Sequence, residues 1–244
     1  MKKYGLIGSS LSHSFSKTYF TKKFKKEKLN QHIYSNFEIK NCTNLKLLVK
    51  KNKLIGLNIT FPFKEQIIPF LDKTSKQVKI IGAVNTIKST NNFEKIIGYN
   101  TDIVGFEKSI LPLLKGHHKK ALILGNGGSS KAVKFILNKY KIKYITISRS
   151  PGINSLCYSK LSYEMVSLHK LIINCTPLGI GKHINIKPNL PYNAIGREHL
   201  VYDLNYNPSK TLLLLQAEKK GAIIKNGKEM LKIQAEKSWE IWNT

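Results

Sequence analysis

Short apolar runs alternate with amphipathic stretches along the chain, and the alternation predicts a strand-helix-strand order. Lys3 to Ile7 reads as a strand, Ser16 to Leu29 as a helix, Ser35 to Ile39 as a strand, Leu45 to Lys51 as a helix and Ile55 to Ile59 as a strand. Ile67 to Asp72 and Ser75 to Ile80 read as short helical pieces, and Ala83 to Lys88 and Lys95 to Tyr99 as two strands joined by a turn at Thr90-Asn91-Asn92. The predicted sheet of this first block is parallel. The second block opens with a helical run from Ile103 to Leu114, and the Lys115-Gly-His-His118 linker leads into a strand at Ala121 to Leu124. Gly125-Asn126-Gly127-Gly128 interrupts there, and Ala132, Val133, Ile136 and Leu137 then recur at helix spacing. Tyr144 to Ile147, Leu171 to Thr176, Leu200 to Asn207 before Pro208, and Gly221 to Lys225 complete a second set of strands, with a helix from Thr211 to Lys220. In the final helix, Lys228 to Trp242, a stripe of Met230, Leu231, Ile233, Trp239, Ile241 and Trp242 reads as core, with Gln234 as a polar exception projecting elsewhere.

The strand, glycine turn and helix around Gly125 carry the clearest chemistry. Glycines there let the backbone turn tightly and approach a pyrophosphate, whose charge the N–H groups at the helix start would hold. The pattern is Gly-x-Gly-x-x-Ser, with Ser130 at the last position, and Ser129 beside it. About twenty residues past the glycines, where an acid would favour NAD, the chain has Ser148-Arg149-Ser150, and arginine suits a 2′-phosphate. The alternative is an ordinary α/β turn with a surface arginine. The strand ending at Thr176-Pro177 would finish beside the Gly125 loop.

Composition changes this picture little. The net charge of +27 suggests nucleic acid first, but the basic residues are spread along the chain and only Arg149 and Arg197 are arginine. No specific nucleic-acid partner is expected, only salt-sensitive polyanion binding. No apolar run is long enough to span a bilayer, so no membrane partner is expected and the cytoplasm is the default location. Cys42, Cys157 and Cys175 are widely spaced, without ligand partners at metal-site spacing, so neither a disulfide frame nor a metal is expected. A monomer and a homodimer both stay open.

Three polar constellations stand where predicted strands give way to loops. Ser12-His13-Ser14-Phe15-Ser16 offers hydroxyls at alternating positions before a helix, for a ligand or for capping. Asn58 and Thr60 share a strand face, and Pro62 ends the strand so that Lys64 reaches the sheet's carboxyl edge. Gly82-Ala-Val-Asn85-Thr86 and Gly98-Tyr-Asn100-Thr101-Asp102 add amides and one carboxylate. Asp102 either caps the next helix or holds the Lys64 ammonium for proton transfer to an alcohol oxygen.

With these residues placed, the chain resembles the shikimate dehydrogenase family over nearly its whole length. The matching motifs run in order: His13-Ser14-x-Ser16, Asn58-x-Thr60-x-Pro62-x-Lys64, Gly82-Ala-x-Asn85-Thr86, Gly98-x-Asn100-Thr101-Asp102, Gly125-x-Gly127-Gly128, Asn174-x-Thr176-Pro177 and Asn226-Gly227-x-x-Met230-Leu231-x-x-Gln234-Ala235. The resemblance implies an α/β protein of two domains: a substrate domain with a mostly parallel sheet (1–101 with 222–244) and a Rossmann-like NADP domain (102–221), with the active site in the cleft. It implies NADP-dependent interconversion of 3-dehydroshikimate and shikimate, with Lys64 and Asp102 catalytic. Ser14 and Ser16 would take the substrate carboxylate, and Asn58, Thr60, Asn85 and Gln234 its hydroxyls. Gly125, Asn126, Gly127, Gly128, Ser129, Ser148, Arg149, Thr176 and Gly227 would hold the cofactor. After Arg149 the chain continues Ser150-Pro151-Gly152-Ile153, and Ser150 to His169 is short for the usual helix and strand, so this part of the domain is expected to be pared down. The alternatives are a quinate/shikimate relative using NAD and a non-catalytic binding protein on the same fold.

Overall fold

A computed structural model describes residues 1–11, 14–150, 152 and 155–244. Ser12, His13, Pro151 and Ile153, named above, lie outside the described residues. The chain divides into two compact units, Met1–Thr101 with Gln234–Thr244, and Asp102–Ile233.

In the first unit, β1 (Lys2–Gly8), α1 (Phe15–Lys26), β2 (His32–Glu38), α2 (Leu45–Asn52) and β3 (Leu54–Ile59) alternate as their apolar spacing predicts. They are followed by α3 (Phe63–Gln66), β4 (Lys73–Thr74), α4 (Lys76–Ile81), β5 (Thr86–Thr90) and β6 (Lys95–Tyr99). The sheet order is β2-β1-β3-β5-β6-β4. β5 runs antiparallel to both its neighbours, while the other pairings are parallel, so the sheet is mixed with one reversed strand. The reversal follows from the short β5–β6 connection, which only an antiparallel pair can use. Two-residue β4 was not legible as a strand. α1 buries Ser16, Phe20 and Phe24, four residues apart on one face. The two phenylalanines join Tyr4, Tyr34 and Trp242 in an aromatic cluster, where full burial of each ring contributes about 2–3 kcal/mol.

The second unit holds α5 (Asp102–Ile110), β7 (Lys120–Leu124), α6 (Gly128–Lys139), β8 (Lys143–Ile147), β9 (Ser155–Leu156), α7 (Tyr163–Leu168), β10 (Leu171–Asn174), β11 (Leu200–Asp203), α8 (Leu212–Lys219) and β12 (Ile223–Asn226). Its sheet is parallel throughout, in the order β12-β11-β10-β7-β8-β9. Among the described residues, the stretch after Arg149 holds a two-residue strand, a three-residue 3-10 helix and a six-residue helix.

The predicted return to the first unit at residue 222 is corrected by strand pairing. β12 lies in register with β11, Leu200 opposite Ile223 through Asp203 opposite Asn226, so this segment belongs to the second sheet. The division falls instead inside α9 (Lys228–Asn243), between Ile233 and Gln234. Among the described residues no helix is long and apolar enough to cross a membrane, and no cluster of three or more His, Cys, Asp or Glu could hold a metal ion.

Candidate functional site

In the first unit, four separate stretches of chain bring their polar side chains into one buried cluster. Asn58 comes from β3, Asn85 and Thr86 from the entry to β5, Thr101 from the end of the β6 segment and Gln234 from α9, all with 6% exposure or less. Asn85 Oδ1 accepts from the Thr101 backbone N–H at 2.7 Å, and Asn85 Nδ2 donates to Thr101 Oγ1 at 3.0 Å and to Gln234 Oε1 at 3.3 Å. Gln234 therefore does not project elsewhere, as its position in the stripe suggested. Helix spacing puts it on the face shared with buried Ser238, and hydrogen bonding outweighs its polarity as a reason to face solvent. Asn58 donates to Ser238 Oγ at 3.0 Å and accepts from the Tyr34 hydroxyl at 2.8 Å. Burial pushes the Tyr34 phenol well above its ordinary range, which keeps it a donor, although a hydrogen bond from Ser16 works in the opposite direction.

Sequence alone does not single out Tyr34 or Ser238. The only signal for Ser238 is its place one turn after Gln234, and Tyr34 lies in a strand where a tyrosine reads as core.

Lys64 sits on α3, directly after the β3 end that Pro62 terminates. The Val84 N–H donates to the Lys64 carbonyl at 2.7 Å, which pins α3 to the loop carrying Asn85. Thr60 closes that turn by accepting from the Phe63 N–H at 3.0 Å. Ser14 is the N-cap of α1, its Oγ accepting from Lys17 N–H at 3.2 Å, and Ser16 is buried on the same helix. Asp102 is the first residue of α5, one peptide bond after Thr101.

The second unit places the glycine loop at the carboxyl end of β7. Gly125 has φ +101°, a conformation that strains any residue with a side chain. A Cβ there would also meet Thr176 Cγ2 at 3.0 Å and the Cys175 backbone at 3.3 Å. This is the expected adjacency of the β10 end, and the Cys175 N–H donates to Leu124 O at 2.8 Å. At Gly127, by contrast, an added Cβ would meet nothing within 4 Å. Gly127 caps α6 in an extended conformation, φ −91° and ψ −175°, so a methyl group is excluded by neither strain nor packing. The open approach to the first N–H groups of a twelve-residue helix fits a pyrophosphate. Asn126 Oδ1 accepts from Lys134 Nζ at 2.6 Å, Ser148 N–H donates to Leu156 O at 2.8 Å, and Arg149 is exposed just past β8.

The loop facing the glycines is built on a buried carboxylate. Asn174 accepts from Thr176 N–H and Oγ1 at 3.0 and 2.7 Å, and donates to Asp203 Oδ1 at 3.0 Å. Asp203 also accepts from the Asn205 N–H and the Thr211 hydroxyl, while Asn205 Nδ2 donates to the carbonyls of Thr176 and Leu178. Burial outweighs these donors and lifts the Asp203 carboxyl to about 6. Gly227 has a packing role: a Cβ there would collide with the Leu204 backbone, and its N–H donates to Asn205 O at 2.9 Å.

Residues 6–87 match the family model described as shikimate dehydrogenase substrate binding domain. Over 99% of its length the chain is 37% identical to the shikimate dehydrogenase (NADP(+)) of Pelagibacter ubique, of which it covers 93%. The crystal structure of shikimate dehydrogenase from Aquifex aeolicus superposes with a TM-score of 0.87 at 34% identity, over 100% of this chain and 92% of that one. Shikimate 5-dehydrogenase from Thermus thermophilus, in complex with NADP(H) and shikimate, gives a TM-score of 0.83 at 27% identity, over 99% of this chain and 93% of that one.

Proposed function

Because the chain belongs to the shikimate dehydrogenase family, we propose that it catalyses the NADP-dependent interconversion of 3-dehydroshikimate and shikimate, in the route to chorismate and the aromatic amino acids. The observation that carries this reading is the convergence of Asn58, Asn85, Thr101 and Gln234 in one buried cluster, a set of amides and hydroxyls suited to a polyhydroxylated ring acid. The unit holding that cluster is the substrate domain, and the unit holding the glycine loop is the nucleotide domain. Bound NADP supplies the hydride chemistry. Ser14 and Ser16 bind the substrate carboxylate, and Asn58, Thr60, Asn85 and Gln234 orient the ring hydroxyls. Lys64 gives the carbonyl oxygen its proton in reduction and takes it back in oxidation, and Asp102 is the carboxylate of the catalytic pair. Gly125, Asn126, Gly127, Gly128 and Ser129 receive the pyrophosphate, Ser148 and Arg149 the 2′-phosphate, and Thr176 and Gly227 the remainder of the cofactor. The reading places the enzyme in the cytoplasm, as a monomer or a homodimer, with a small ring acid rather than nucleic acid or a membrane as its partner.

The test is a spectrophotometric assay of shikimate and quinate, each with NADP and with NAD. The fastest nicotinamide reduction is expected with shikimate and NADP. Faster reduction with quinate and NAD would replace this reading by the quinate dehydrogenase alternative, and no reduction in any mixture would leave a binding protein. Lys64→Ala should retain shikimate binding by calorimetry while kcat falls by about 10²- to 10⁴-fold. Unchanged turnover would remove Lys64 from the mechanism.

A further inference from the structure

The hydrogen bonds around Asn58 have a definite direction. Ser16 bonds to the Tyr34 hydroxyl, and Tyr34 donates onward to Asn58 Oδ1 at 2.8 Å. Asn58 Nδ2 donates to Ser238 Oγ at 3.0 Å, with Thr86 Oγ1 and the Asn85 carbonyl farther away at 3.3 and 3.4 Å. Ser238 gives its own proton to the Gln234 carbonyl one turn back, at 2.9 Å. A flipped Asn58 amide would therefore set its oxygen against an Oγ whose proton is already committed. Ser238 Oγ also lies 2.8 Å from Thr86 Oγ1 and 3.2 Å from Thr101 Oγ1. Those hydroxyls reach Asn85 Oδ1 at 3.1 and 3.2 Å, and Thr101 reaches Gln234 Oε1 at 3.3 Å. One serine oxygen is thus the common neighbour of the groups that orient three amides. Ser238 is wholly buried, and the Tyr34 hydroxyl is spent on Asn58 Oδ1.

We propose that Ser238 and Tyr34 are positioning residues for substrate recognition, locking the amides of Asn58, Asn85 and Gln234 in the orientation that reads the ring hydroxyls. The inference rests on the function proposed above and assigns the reading of the ring to a layer of side chains behind those that touch it. With either hydroxyl gone, the Asn58 amide gains a second orientation, and a donor or acceptor meant for the substrate is presented with the wrong sense. A substrate hydrogen bond made only part of the time weakens binding without altering proton transfer at Lys64.

The experiment compares Ser238→Ala, Tyr34→Phe, the double variant and Trp242→Phe with the wild type. The last removes a buried hydrogen bond, Trp242 Nε1 to Ile87 O at 2.9 Å, from the same helix, and keeps an aromatic ring beside Tyr34 while breaking none of the hydrogen bonds described above. The KM for shikimate should rise about five- to tenfold in each single variant, with kcat falling less and the KM for NADP unchanged. In the double variant the rise should be smaller than the product of the two, because both act through one amide. Trp242→Phe should lower the melting temperature and leave the KM for shikimate alone. If Ser238→Ala does not fold, Tyr34→Phe, which keeps the ring packing, carries the same comparison. Shikimate KM values no higher than that of Trp242→Phe overturn the positioning role while the dehydrogenase reading stands. A wild type that oxidises no shikimate overturns both.

Discussion

Gly125 and Gly127 occupy one loop, yet the structure assigns them different reasons for being glycine, and the pair Gly125→Ala and Gly127→Ala separates the two. At Gly125, φ of +101° is strained for an alanine and costs about 1–3 kcal/mol. The added methyl would also press on Thr176 Cγ2 and the Cys175 backbone. Cys175 cannot retreat freely, because its N–H is bonded to Leu124 O and β10 is paired to β7 up to Asn174. Overpacking of this kind adds about 1 kcal/mol or more, for a total of about 2–4 kcal/mol. In a unit of this size that corresponds to a melting temperature lower by roughly 10 °C. At Gly127 the backbone is extended and nothing lies within 4 Å of a new Cβ, so the change should cost less than about 1 kcal/mol. The methyl would instead stand in the approach to the α6 N–H groups, and NADP affinity should fall by tenfold or more, about 1.4 kcal/mol. Differential scanning fluorimetry without ligand and NADP titration by calorimetry give both numbers. A Gly127→Ala protein that binds NADP normally, or a Gly125→Ala protein that melts with the wild type, would refute the reasoning for that position.

Three further outcomes follow from named contacts. Arg149→Ala should weaken NADP by about 1.5–3 kcal/mol, the loss of charge-assisted hydrogen bonds, and leave NAD nearly unaffected; parallel losses for both cofactors would show that Arg149 does not read the 2′-phosphate. Gly56→Ala would drive a methyl into the Trp242 indole and break its bond to Ile87 O, costing about 1–3 kcal/mol in urea unfolding with a shift in tryptophan emission, whereas a wild-type midpoint would mean that Trp242 repacks without loss. His118, His169 and His199 are held below their ordinary range, chiefly by burial, so they oppose protonation in the folded state and stability is lost as pH falls below about 6.5. Asp203, raised from 3.8 to about 6, acts in the opposite sense, its contribution being full below 3.8 and lost as pH rises through about 6. The melting temperature should therefore drop between pH 7.5 and 5.5, and more steeply in Asp203→Asn, with a shallower drop in that variant counting against the Asp203 assignment.

Local pattern in the chain was enough for the order of strands and helices, the glycine turn between β7 and α6, and the motif residues, because apolar periodicity and turn chemistry are properties of neighbouring residues. Even Gly125 could be placed beside Thr176 beforehand, since a parallel sheet built from crossover units leaves few neighbours for its first strand. Where the second unit ends was a matter for the folded chain. Ile223–Asn226 reads equally well as an edge strand of either sheet, and its pairing with Leu200–Asp203 is a contact that no local pattern encodes. Folding likewise turns Gln234 inward, and sets Tyr34 and Ser238 behind Asn58. Those contacts join residues as far apart as 180 positions. A hydrogen bond depends on where two atoms finally lie, and sequence spacing carries that information only within a helix turn or a strand.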